Sequence, residues 1–293
     1  MMQNKNIFYA LNVIIFLVFF CFFFLSVPTD FPIGSIINIE PGMSLGSVSL
    51  QLKQAHIIFS RTAFEALVII YGGEKHLIPA DYLFEAKEPV WEVARRIIRG
   101  ERHLAPVKVT VPEGFNVSDM ADTFVLKLAN FNKEKFLSLA KAQEGYLFPD
   151  TYFFFTTDTE TEVLRSLSEN FEKKITPLIP EIISSGKKEK DIIVMASIIE
   201  GEAKGNEDRK IIAGILWKRI SLNMPLQVDV VPSTYKTKNL PQNPIGNPGL
   251  EAIKAAISPQ NSPFLYYLHD KNGLIHYAKN FLEHKQNIVK YLK

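Results

Sequence analysis

Cysteine is almost absent: Cys21 is the single one in 293 residues. An internal disulfide framework is therefore excluded, and a cysteine-built metal centre all but excluded. An excess of one charge is also lacking. Lysine and arginine number 33 against 31 acidic residues, a net charge of +2. Such balance gives no broad basic field to hold nucleic acid. The six histidines (His56, His76, His103, His269, His276 and His284) show neither the His-x-x-x-His nor the His-Glu-x-x-His spacing of a zinc hydrolase. No metal and no cofactor is expected. Hydrophobic residues, by contrast, make up 47% of the chain against 22% charged, which excludes a disordered or collagen-like chain. The length suits two soluble modules plus a short appendage.

One long uncharged run stands out, Ile7 to Ser26. About twenty apolar residues at ~1.5 Å each span a ~30 Å hydrocarbon core. The run continues into Leu25-Ser26-Val27-Pro28 and offers no small-residue cleavage site. We therefore read residues 7–26 as a transmembrane anchor in the lipid bilayer rather than as a cleaved signal peptide. Lys5 precedes the run, and Asp30 and Glu40 follow it. The positive-inside tendency then leaves residues 1–6 as a cytoplasmic tail and the rest outside.

Beyond the anchor the pattern is α+β. Ile36–Ile39 is β-branched and precedes Glu40-Pro41-Gly42, while Val107–Val111 alternates and precedes Pro112-Glu113-Gly114. The two stretches align at one constant offset: Ile39 with Val111, Gly42 with Gly114, Leu45 with Val117, Val48 with Met120. Each reads strand, glycine turn, helix, with Ser44 or Asn116 as the cap. This is either a duplicated unit or two ordinary strand–helix turns. His76–Phe84 suggests a strand, and Val90–Gly100 an amphipathic helix stopped by glycine. Helices are expected over 121–141, 160–183, 189–203 and 207–222. A hairpin is expected over 263–278, turning at Lys271-Asn272-Gly273, with a last helix from Phe281.

The chemistry concentrates at the end of one helix, Asp191–Ala203. Its first ten residues are almost wholly apolar, and Glu200 closes that run. Ala196, Ser197, Ala203 and Lys204 share its face. Glu202 points to a nearly opposite side. A carboxyl at the edge of an apolar helix is desolvated, which favours the protonated acid and suits protonation of a glycosidic oxygen. A solvated helix end with a Glu200–Lys204 pair is the plain alternative. Downstream, Gln227 and Asp229 alternate with Leu226 and Val228, so both could face one cleft or form the polar face of an edge strand. Asn247 lies in the turn-rich Leu240–Gly249 segment, which either presents it to a sugar or only connects elements. The aromatic run at 152–155 reads as core.

The chain resembles the endolytic murein transglycosylases of the YceG/MltG-like family, membrane-anchored lyases of peptidoglycan. The resemblance rests on EGYLFPDTYFF at 144–154, MASIIEGEA at 195–203, PLQVD at 225–229, LPQNPIGNPGLEAIKAA at 240–256 and SPFLYYLHDKNGLIHYAKNFLEHKQN at 262–287. It implies a LysM-like α/β module over residues 27–105, with its linker, and a mixed α/β catalytic domain over 106–293. It also implies cleavage of the MurNAc–GlcNAc β-1,4 bond without water, leaving 1,6-anhydroMurNAc ends and terminating nascent glycan strands. The family's catalytic glutamate falls in the ASIIEGE segment, and its first glutamate corresponds to Glu200. Gln227, Asp229, Asn247, Glu202 and Glu144 are expected to bind or orient sugar. The implied setting is the bacterial plasma membrane, crossed once, beside peptidoglycan synthases. Gln227-Val-Asp229 lacks the family's hydroxyl residue after glutamine, and Leu240-Pro-Gln-Asn-Pro-Ile replaces Leu-Pro-Pro-Gly-Pro-Ile. Two other functions remain open: a two-carboxylate hydrolase using Glu200 and Asp229, and a noncatalytic peptidoglycan-binding scaffold.

Overall fold

A computed structural model describes residues 12, 26–73, 76–203 and 205–292. Apart from Asn12 and Ser26, the expected anchor at 7–26 lies outside the described residues. Among those described, no helix is long and apolar enough to cross a membrane. The chain divides into two compact units, Met1–Ala105 and Pro106–Lys293.

In the first unit, β1 (Ser35–Ile39) pairs antiparallel with β2 (Ala80–Phe84). Helices α1 (Leu45–Gln54) and α2 (Arg61–Tyr71) connect them, and α3 (Val90–Arg99) follows. Ser44 and Ser60 cap α1 and α2 by accepting from Ser47 N and Ala63 N. The core gathers Val48, Leu52, Phe64, Val68, Tyr82, Phe84, Val93 and Ile97. Arg96, fully buried, is satisfied by both oxygens of Glu88 at 2.6 and 2.7 Å and by the carbonyls of Leu83 and Glu101.

In the second unit, β3 (Val107–Thr110) pairs antiparallel with β4 (Thr151–Phe154), with α4 (Val117–Val125) and α5 (Lys133–Ala140) between them. Then come α6 (Glu160–Ile175), α7 (Ile179–Ser184), α8 (Glu189–Glu202), α9 (Asn206–Ser221) and α10 (Leu250–Ile257). The hairpin β5 (Tyr266–His269) and β6 (Ile275–Ala278) and helix α11 (Phe281–Tyr291) end the unit. The architecture is α+β, with small two-stranded sheets and many helices.

Two expected helices are broken. The stretch expected at 121–141 splits because Ala129 N bonds Thr156 O at 2.7 Å, turning the chain, and Asn132 restarts a helix by capping Lys135 N. The stretch expected at 160–183 is interrupted by a 3₁₀ turn at Thr176–Leu178, where Pro177 lacks the amide hydrogen that an α-helix needs.

The expected repeat extends beyond two strand–helix turns. Gly42 and Gly114 adopt φ of +86° and +83°, a conformation that costs glycine little. Tyr82 lies opposite Ile37, and Tyr152 opposite Val109; the first-strand residues keep the offset of 72, and the tyrosines stand 70 apart. Each phenol donates to the carbonyl four residues upstream, Ile78 at 2.7 Å and Phe148 at 2.6 Å. Burial pushes both phenols up to about 12. Strand, turn, capped helix and tyrosine-bearing second strand thus occur twice.

Candidate active site

Helix α8 is apolar on all sides because it is enclosed: Ile192 to Ile199 are all buried. It packs on α9 and α10 in the largest core cluster. The helix ends with two glutamates that leave it in different directions and meet different surroundings.

Glu200 enters a clamp. Its side chain is 6% exposed. Oε1 accepts from Arg209 Nη2 at 2.6 Å, and Oε2 from Gly249 N at 3.0 Å. Arg209, from the first turn of α9, also bonds Asn206 Oδ1 and lies 3.6 Å from Glu113 Oε2. Burial and the Glu200 charge push the Glu113 carboxyl up. The cluster ties the turn after β3, the end of α8, α9 and the start of α10 together. The apolar, proton-favouring edge expected around Glu200 is instead an ion pair plus a backbone donor. The alternative partner, Lys204, lies outside the described residues.

Glu202 faces an open cavity of about 370 Å³ in the same unit, and Glu200 is not part of its lining. Glu202 is 8% exposed. Tyr267 donates to Oε2 at 3.0 Å and Val230 N to Oε1 at 3.4 Å. Burial pushes this carboxyl up, and the neighbouring Asp229 charge adds to the effect; Tyr267, Val230 and His269 offset part of it. A carboxyl pushed up by burial thus stands at Glu202, which was expected to bind sugar. The Tyr267 phenol is itself held well above its ordinary range by burial and by Glu202. His269 Nε2 meets the Glu202 carbonyl at 2.8 Å, which anchors the helix end to β5.

The wall opposite the hairpin is the loop after α9. Leu226 and Val228 are buried, while Gln227 and Asp229 are exposed and line the cavity. The expected alternation holds, but the segment is a loop and not an edge strand. Buried Thr234 locks it, its hydroxyl taking Val228 N–H at 3.1 Å and donating to Val231 O at 2.6 Å. Gln227 sits at φ +53°, uncommon for a residue with a Cβ and typical of strain stored at functional sites. Asp229 Oδ1 accepts from Tyr235 OH at 2.6 Å, a bond that raises the phenol to about 12.

Asn247 and Glu144, expected to bind sugar, do not line this cavity. Asn247 is fully buried. Its Oδ1 accepts from Gly145 N and Leu147 N at 2.8 and 3.0 Å, and its Nδ2 donates to Phe115 O and Glu144 Oε1 at 3.0 and 2.8 Å. Glu144 also accepts from Val117 N at 3.1 Å, and burial pushes its carboxyl up. Together they stitch three loops, and both polar atoms of the Asn247 amide are spent there. Asn247→Ala strands two buried amide hydrogens and a carboxyl. We expect a loss of about 3 kcal/mol, a melting temperature lower by ~10 °C, and an unaltered KM in the folded fraction. Thermal melts and kinetics below the transition check this.

The model of the YceG-like family matches residues 37–231 and 233–290. The chain belongs to the YceG-like family. It is 26% identical over 305 residues to the endolytic murein transglycosylase of Bacillus subtilis, covering 87% of this chain and 84% of that protein. It is 25% identical over 244 residues to the endolytic murein transglycosylase of Streptococcus pneumoniae, covering 63% of this chain but 44% of that protein. A crystal structure of a yceG-like protein from Listeria monocytogenes superposes with a TM-score of 0.57 at 26% identity, covering 86% of this chain and 99% of that one. In this YceG-like chain, sequence reasoning missed Tyr267, His269, Tyr235 and His284, all of which line the cavity. The available signal was Tyr267-Leu268-His269, whose period of two puts both polar rings on one face of a hairpin strand.

Proposed function

We propose that this chain cleaves peptidoglycan glycan strands as a lytic transglycosylase, with Glu202 rather than Glu200 as the acid. The observation that carries this is the buried carboxyl of Glu202, pushed up by desolvation at the wall of an open cavity. Glu202 donates its proton to the glycosidic oxygen as the bond from C1 breaks. The resulting carboxylate, steadied by Tyr267 OH and Val230 N–H, then takes the proton of the MurNAc 6-hydroxyl as that oxygen attacks C1. One bond to C1 is exchanged for another, no water is consumed, and the proton returns to Glu202. The Asp229 charge nearby favours the positive charge developing on the sugar ring, while Gln227 offers an amide to its hydroxyls.

Asp229 beside Glu202 also supports a second reading, a hydrolase in which Asp229 orients a water. Mass spectrometry of digested sacculi separates the two. We expect ends one water lighter than reducing ends; reducing ends alone would establish the hydrolase. Binding to sacculi with no new ends of either kind would leave only a scaffold.

Tyr267→Phe tests the acid's setting. Losing that donor disfavours the Glu202 anion, so the proton is held to higher pH. The alkaline limb of the kcat/KM profile moves upward, and kcat falls ~10-fold because the carboxylate formed on proton transfer is less well stabilised. An unmoved limb counts against Glu202.

The remaining architecture belongs to the same proposal. Residues 7–26 cross the bacterial plasma membrane with residues 1–6 in the cytoplasm, and the catalytic part lies outside near peptidoglycan synthases, where cleavage terminates nascent strands. The β1–α1–α2–β2 order of the first unit supports a LysM-like glycan-binding module within residues 27–105.

A further inference from the structure

Arg219 lines the cleft and is 4% exposed. A cation this buried ordinarily has an anion beside it. Here the acceptors are neutral carbonyls. Nε donates to Leu265 O at 2.7 Å, and Nη1 to Leu226 O at 2.5 Å and Pro225 O at 3.4 Å. The guanidinium carbon stands 4.9 Å from the Tyr266 ring centroid. Among the described residues Arg219 forms no ion pair, and its Nη2 has no hydrogen-bond partner while not being sealed from solvent. The two acids of the cleft are bound otherwise, Glu202 by Tyr267 and Val230, Asp229 by Tyr235. Burial pushes the His284 imidazole in the cavity down, and the Arg219 charge adds to it. A guanidinium with Nε and Nη1 spent on carbonyls and Nη2 left over at the wall of a cleft is suited to an incoming oxyanion.

We infer that Arg219 is a carboxylate-binding subsite, and that the cleft takes glycan whose stem peptides carry free carboxylates in preference to strands whose carboxyls are all amidated. The sugar rings of murein bear no free anion of their own, because the lactyl group of MurNAc is engaged as an amide to the peptide. Any anion reaching Arg219 therefore comes from the peptide, which makes this residue a reader of peptide state beside the glycan-cutting acid. The inference rests on the reading of this cleft as the peptidoglycan site.

The test uses the full chain carrying Glu202→Gln, so that binding is read without turnover. Three phosphate-free synthetic strands of equal length are compared: one with free peptide carboxylates, one with the same peptides amidated, and one without peptides whose lactyl carboxyls are capped as simple amides. The expected Kd is at least about 10-fold lower for the free carboxylates than for either other strand, a difference of ~1.4 kcal/mol. Adding Arg219→Gln, which retains donors for the carbonyls, should bring the three strands within about 2-fold. Should that variant fail to fold, the three-strand comparison in the Arg219 chain decides alone. Equal affinity for all three overturns the inference. Full activity of the Glu202→Gln chain would instead overturn the catalytic reading, and the binding comparison would still be read on its own.

Discussion

Glu202→Gln is expected to lower glycan cleavage by at least ~10³-fold while leaving the fold intact, because a general acid that also serves as base supplies both proton transfers. The amide oxygen keeps an acceptor for Val230 N–H, and the amide nitrogen can donate to the Tyr267 oxygen in place of accepting from it, so no buried group is abandoned. Stability should rise at neutral pH rather than fall. The folded carboxyl is pushed above its ordinary value of 4.5 by burial. Between that value and the raised one the native state binds more protons than the unfolded chain, so stability declines as pH increases through the window. Glutamine removes the decline. An inactive variant at least as heat-resistant as the parent is the expected pair of results; an active one would remove Glu202 from the chemistry.

Glu200→Gln is expected to act on stability. The Arg209 pair is shielded on both sides, with side-chain exposures of 13% and 6%. Breaking such a pair from one side leaves a buried cation and costs about 3–5 kcal/mol. Glu113 at 3.6 Å stands ready to take part of the charge, so we expect the lower end, about 3 kcal/mol and a melting temperature lower by ~10 °C. Arg209→Met should cost a similar amount, and the double variant much less than the sum of the two. Additive losses would mean the clamp does not exist. Below its transition the Glu200→Gln chain should still form new glycan ends, which separates its role from that of Glu202.

The contrast between these two residues marks where reading the sequence stopped. Helical periodicity correctly sent Glu200 and Glu202 to different sides, and an apolar helix predicted that one carboxyl would be desolvated. Periodicity carries no information about which side opens onto a cavity. That depended on Arg209, nine residues on, and on Gly249 and Tyr267, which arrive through tertiary packing. Asn247 misled for a related reason. A polar residue in a proline-rich loop reads as exposed, yet its amide is spent on backbone groups about a hundred residues away. Local signals fared better: the caps at Ser44 and Asn116, the αL stop at Gly100 and the hairpin turn through Gly273 are settled by nearest neighbours. The alternation at 226–229 survived because Leu226 and Val228 had to be buried, whatever backbone shape carried them.

The most direct measurement is a titration of the Glu202 carboxyl itself. In full-length protein labelled with carbon-13 at the glutamate carboxyls, its resonance can be assigned by comparison with Glu202→Gln and followed with pH. This carboxyl should stay protonated above the ordinary 4.5, with a midpoint that matches the alkaline limb of cleavage in the parent and moves upward in Tyr267→Phe. A midpoint at or below 4.5, or one indifferent to Tyr267, would contradict it.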